Sequence, residues 1–138
     1  VAYNTIFNLR THQAQAACFA AVAARLTPGG RFVIEAFVPD HPPRHGDDIS
    51  VRSLESDRVV LSISRHDAEQ QLAEGQFVEI TEAGGVRLRP WSIRYATPSE
   101  LDEMATVAGL ALEQRWEGFG RTEFGADSAR HVSVYRAP

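Results

Sequence analysis

Lysine is absent from this chain of 138 residues, so all 14 basic residues are arginines. They are scattered among 18 acidic residues and leave a formal charge of −4. That balance argues against a nucleic-acid platform, whose surface is usually basic. We read the missing lysine as codon bias rather than function. Cys18 is the one cysteine, which excludes an intrachain disulfide and a cysteine-based zinc site. No stretch approaches the roughly 18 apolar residues of a membrane span, and no signal peptide opens the chain. A cytoplasmic location without a membrane partner is therefore expected. His41 and His45 are separated by Pro42, Pro43 and Arg44. Prolines at those positions forbid a shared helix face, and no third ligand is evident, so no metal site is expected. Serines lack any nucleophile-elbow sequence, and no repeat or low-complexity tract appears.

What is present organises around residues 1–40. Val1–Leu9 reads as a strand. Thr11 is an N-cap for a helix whose apolar stripe is Cys18, Phe19, Val22, Ala23 and Leu26. Cys18 on that stripe reads as a small buried hydrophobe. Pro28-Gly29-Gly30 ends the helix, and Phe32–Val38, apolar apart from Glu35, reads as a strand covered on both faces. Strand, helix and strand together predict a parallel crossover, the unit of a doubly wound sheet.

His41–Ser50 reads as a break, being rich in proline and charge. From Val51 to Tyr95 the period changes to two: Val59, Leu61 and Ile63 alternate with Val60, Ser62 and Ser64. Phe77–Thr81 and Val86–Arg89 flank Glu82-Ala83-Gly84-Gly85 as a hairpin. Thr97-Pro98-Ser99-Glu100 combines an N-cap, a proline at the first helical position and a capping-box glutamate. Leu101, Met104, Ala105 and Ala108 form that helix's buried stripe, and Gly109 is its stop. Leu110–Trp116 and His131–Arg136 read as the last strands, with Glu117–Arg130 between them a loop rich in glycine and charge.

These pieces carry a family resemblance. Asn4-Thr5-Ile6-Phe7-Asn8-Leu9, Leu26-Thr27-Pro28-Gly29-Gly30-Arg31-Phe32, Glu35-Ala36-Phe37-Val38-Pro39-Asp40 and Arg94–Leu101 with Ala108-Gly109-Leu110 resemble the second half of class I S-adenosylmethionine-dependent methyltransferases. The resemblance implies an α/β fold, a partial Rossmann-like, doubly wound sheet with an antiparallel strand insertion. A single domain is expected over 1–138, with 1–40 and 96–138 as partial methyltransferase core and 50–95 as the insertion or lid. It also implies S-adenosylmethionine as cofactor and a small molecule as substrate. No G-x-G-x-x-G stands between a strand and a helix in this chain. The resemblance thus implies a truncated methyltransferase that is inactive alone. The alternative is a non-catalytic α/β module that binds ligand or forms a homodimer, by edge pairing or through the insertion.

Asn4, Tyr3 and Phe7 are the candidate cofactor-binding residues, at the sheet edge where open α/β folds bind ligands. Asn4 could equally cap a bend, and the aromatics could be core. Glu35 must find a partner, stay protonated or face a cavity; an arginine partner is the plain account, and a general base the other reading. Phe37 points the same way as Glu35 and is a candidate substrate contact. His66, Trp91, Arg94 and Tyr95 are the other substrate-binding candidates: a proton acceptor, an anion-binding fork and aromatic walls. His66 is the one catalytic candidate. Arg94 and Tyr95, adjacent on a strand, face opposite sides, and Arg94 could be a structural ion-pair former instead.

Overall fold

The computed structural model describes all 138 residues. They form two compact units: Val1–Asp40 with Tyr95–Pro138, and His41–Arg94. The fold is mixed α/β, with two antiparallel sheets and two helices.

In the first unit, β1 (Arg31–Phe37), β7 (Arg130–Arg136) and β6 (Ala111–Trp116) form a three-stranded sheet in the order β1-β7-β6. Both pairings are antiparallel. The alternation along β1 explains its two faces. Phe32, Ile34 and Ala36 are buried, while Val33, Glu35 and Phe37 are half-buried. Helix α1 (His12–Ala23) carries the central packing residue, Phe19, whose ring meets Phe32 edge-on at 5.3 Å and Tyr135 at 5.6 Å. Such edge-to-face pairs are favoured because the positive rim of one ring meets the negative face of the other. Of the expected stripe, Phe19 is fully buried, whereas Cys18, Val22, Ala23 and Leu26 are only half-buried, and Gln15 is the other buried residue of α1. Gly29 follows with φ +74° and donates its N–H to the chain's last carbonyls.

The expected strand over Val1–Leu9 is corrected. Tyr3 and Asn4 both take positive φ, at 54° and 59°, and Thr5–Asn8 is a 3-10 turn. Ile6 and Phe7 are buried by that turn, so the apolar pattern reflected core packing rather than a ladder. The expected parallel pair of strands is not formed, since the strand paired with β1 is β7 and it runs antiparallel. Val1 donates its N–H to the Val33 carbonyl and accepts from the Glu35 N–H, the hydrogen-bond pattern of a parallel pair around Ile34.

Helix α2 (Pro98–Val107) starts as its sequence requires. The Thr97 hydroxyl accepts from Glu100 N–H, and the Glu100 carboxylate accepts from Thr97 N–H at 2.7 Å. Leu101, Met104 and Ala105 are its buried face.

The second unit is an antiparallel sheet in the order β2-β3-β4-β5, with β2 Gly46–Leu54, β3 Arg58–Asp67, β4 Leu72–Thr81 and β5 Gly85–Arg94. The break expected at His41–Ser50 ends earlier, because β2 is an edge strand and tolerates Gly46 and two aspartates. Val51, Leu61, Val78 and Leu88 stand in one cross-strand row. Charge lies on the other face, where Glu79 binds Arg58 at 2.6 Å and Arg89 at 3.1 Å. Gly75 is required in β4: a Cβ there would lie 2.1 Å from the Ile63 carbonyl oxygen and 3.0 Å from the Trp91 ring.

Replacing Thr97 by Ala removes the cap acceptor of α2. It should lower unfolding free energy by about 1 kcal/mol, read as a reduced midpoint in urea with an unchanged slope.

Candidate functional site

The end of β1 and the turn before Thr5 build one concave site. Asn4, Glu35, Phe37, Glu117, Ala129 and Arg130 line a cavity of about 480 Å3. β1 contributes Glu35 and Phe37 because alternate residues share a face. β7 contributes Arg130, which is in register with Phe37. Asn4 tolerates the left-handed backbone that aims it inward, since its short polar side chain bonds locally. Its Oδ1 accepts from Phe37 N–H at 2.7 Å. Glu35 is held by the main chain rather than by an arginine: one carboxylate oxygen accepts from Tyr3 N–H. The Phe37 ring is propped edge-on by Phe7 at 5.0 Å. The site therefore offers two carboxylates, one guanidinium and an aromatic wall, a set suited to a polar ligand bearing a cationic group.

Of the residues expected here, Asn4 and Phe37 do line the cavity. Phe7 is fully buried and supports Phe37 instead of lining the cavity. Tyr3 is 89% exposed and contributes its backbone, not its ring. Glu117 and Arg130 were not anticipated, because the stretch holding them reads as a charged loop and only the β1–β7 register brings Arg130 to Phe37.

His66, Trp91 and Arg94 belong to the second unit, whereas Tyr95 opens the returning segment of the first. The His66 ring bonds Ser64 Oγ at 3.0 Å through Nε2. Trp91 stacks in a tilted pair with Phe77 at 6.0 Å, its indole nitrogen buried without a hydrogen-bond partner. Arg94 donates to the Gln71 side-chain carbonyl, and Tyr95 is buried.

A second cavity, of about 530 Å3, lies on the same sheet between Arg31, Glu113, Trp116 and Arg121 over Val33 and Val134. Arg31 holds Glu113 in a bidentate pair, and Arg121 stacks 5.1 Å over the Trp116 ring. That pair pulls the Glu113 carboxyl below its usual range.

On the helix-covered face runs a buried polar chain. Arg115 donates to both carboxylate oxygens of Asp102 and, at 2.7 Å, to Ser133 Oγ. Tyr135 donates to Asp102 at 2.9 Å, and Ser133 Oγ lies 2.8 Å from His131 Nδ1. Arg115 can only donate, so Ser133 Oγ accepts from it. His131 Nε2 is buried without a partner. Burial foremost, and then the Arg115 charge, push the His131 pKa down to about 4. Burial and Asp102 push Tyr135 well above its ordinary value.

No family model and no curated protein matches the chain. Solved structures do match. The CcbJ methyltransferase from Streptomyces caelestis superposes with a TM-score of 0.94 at 40% identity, covering 99% of this chain and 58% of that one. An S-adenosylmethionine-dependent methyltransferase from Clostridium acetobutylicum gives 0.80 at 9% identity, covering 99% and 56%. The S-adenosylmethionine-bound amino pentose methyltransferase CalS10 from Micromonospora echinaspora gives 0.66 at 20% identity, again covering 99% and 56%. The two lower identities show the fold alone. The expected fold, a partial methyltransferase α/β fold, is thus the observed one, and the chain spans little more than half the length of these proteins.

Asn4→Ala loses the bond to Phe37 N–H and places a Cβ residue without local bonding at φ 59°. It should cost about 2 kcal/mol by urea unfolding, while Asn4→Gly, which relieves the backbone term, should cost about half that. His131 binds its proton less readily folded than unfolded, so the unfolded state takes up more protons between about pH 6.5 and 4. Stability should therefore fall on acidification, by about 2 kcal/mol from about pH 7 to about pH 5, where carboxylates barely titrate. His131→Gln should flatten that slope.

Proposed function

We propose that these residues are the substrate-side portion of an S-adenosylmethionine-dependent methyltransferase acting on a small molecule in a reducing cytoplasm. The observation that carries this reading is the 40% identity to the CcbJ methyltransferase, sustained over 99% of the chain at a TM-score of 0.94.

The residues present do not fit the whole cofactor. The Gly29-Gly30 turn lies between α1 and β1, with Gly29 N–H engaged by terminal carbonyls and the Arg136 guanidinium about 3.6 Å from where its Cβ would be. It is no phosphate- or carboxylate-cradling loop, and no other glycine pair stands between a strand and a helix.

What this chain supplies is the acceptor site. Glu35 and Glu117 hold a cationic or hydrogen-bonding substituent of the substrate. Phe37 walls the site, and Arg130 balances one of the two negative charges. Holding the nucleophilic atom in a fixed direction accelerates an in-line displacement through orientation. Either carboxylate is the group available to take the acceptor's proton. His66, tied to Ser64, is the less suitable base.

The reading is tested in two ways. The genomic reading frame upstream of Val1 should encode a strand, a glycine-rich turn and a helix; a frame without them overturns it. Calorimetric titration of the 138-residue protein with S-adenosylmethionine should give no binding in the micromolar range. Micromolar affinity would show that these residues hold the cofactor unaided.

A further inference from the structure

We propose that the cavity of about 530 Å3 over Val33 and Val134 is a second ligand site, taking a flat apolar ring that carries one oxyanion. The proposal does not depend on the methyltransferase reading.

Strand alternation builds the floor. Val33 on β1 stands opposite Val134 on β7, and Val132, two residues along, shares their face. The wall is aromatic. Trp116 ends β6 in register with Val132, and Phe119 follows it with 69% of its surface exposed. A ring laid against Phe119 and the valines removes apolar surface from water and gains an aromatic contact. The volume falls within the roughly 300–1,000 Å3 of small-molecule sites, which are mainly apolar with a few fixed polar groups.

The polar groups select the ligand's charge. Glu113 is the one carboxylate among the lining residues, and Arg31 already takes both its oxygens. Arg136 lies a further 3.7 Å from one of them. Glu35 and Glu117 line the first cavity instead. Arg121 differs from Arg31: it lies 5.1 Å over the Trp116 ring and has no carboxylate partner. A guanidinium engaged through its π face keeps its N–H donors, which fit a carboxylate or phosphate edge two at a time. Three guanidiniums against one carboxylate make this corner cationic in a chain of net charge −4, so it attracts anions. The first cavity has the opposite balance, two carboxylates to one arginine. The two cavities thus sort ligands by sign.

Indole-3-acetate is the probe, titrated into the 15N-labelled 138-residue protein. It should bind with a dissociation constant of about 1 mM or tighter, shifting the amides of Val33, Trp116 and Phe119. Indole-3-acetamide has the same ring without the charge and should bind about 10-fold more weakly. Arg121→Gln should weaken the acid by about 10-fold and leave the amide unchanged. Phe119→Ala should weaken both by about fivefold. Arg89→Gln, in the second unit, should change neither. Arg121 and Phe119 are exposed, and the amide spectrum identifies a variant that fails to fold, in which case the other carries the test. Equal affinity for acid and amide overturns the proposal, as do shifts confined to other residues. Loss of binding in the full-length product of the reading frame also overturns it, since the polypeptide itself would then cover the valines.

Discussion

The hydrogen bond from Phe37 N–H to Asn4 Oδ1 holds together the two halves of the candidate site. β1 is satisfied along one edge by β7, and along the other its Val33 carbonyl and Glu35 N–H bond Val1, after which the chain turns. Beyond Val1 the Asn4 N–H takes the Glu35 carbonyl and the Asn4 side chain takes the Phe37 amide. Two left-handed residues in succession are the cost of that turn. The return is a cavity whose floor is rigid β-strand and whose rim is a side chain fixed by the strand it borders.

How much of this is legible in sequence depends on the range over which each signal acts. Helix α2 is announced by Thr97, Pro98 and Glu100 because a capping box is made by neighbours in the chain. The β4–β5 hairpin is likewise local. Val1–Leu9 is misread because period and composition do not report φ, and nothing in Tyr3-Asn4 distinguishes a left-handed turn from a strand end. Gly46, Asp47 and Asp48 disguise β2, whose place at the sheet edge excuses them. Asn4 and Phe37 could be assigned to the ligand edge from topology. Glu117 and Arg130 could not, since long-range antiparallel pairing places them and no local pattern encodes it.

Electrostatics separates the two sides of the first unit. On the helix-covered face the Asp102–Arg115–Ser133–His131 chain is nearly saturated, leaving one orphaned imidazole nitrogen. A buried network of this kind is intolerant of partial loss, because each member satisfies the next. On the opposite face Glu35, Glu117 and Arg130 remain beside a cavity. Structural polarity and polarity available to a ligand are thus sorted by strand alternation: Ser133 and His131 point one way, while Arg130 and Val132 point the other.

In the second unit the same alternation leaves an imbalance. Exposed ion pairs such as Arg65–Asp47 contribute at most about 1 kcal/mol each, since solvent screens them and ordering two long side chains opposes the gain. The Arg58–Glu79–Arg89 cluster is better placed, with Glu79 more shielded than its partners, but it too is open to water. Charge therefore adds little to the sheet's stability. Its buried apolar residues, Val60 and Ala73, lie on the face that also carries Phe77 and Trp91, while much of the aliphatic face remains in water within one chain. The register shifts at one bulge between Val51 and Ser53, and that extra residue keeps Leu54 on the same face as Val51, so the aliphatic rows stay aligned across all four strands while their outer members remain exposed.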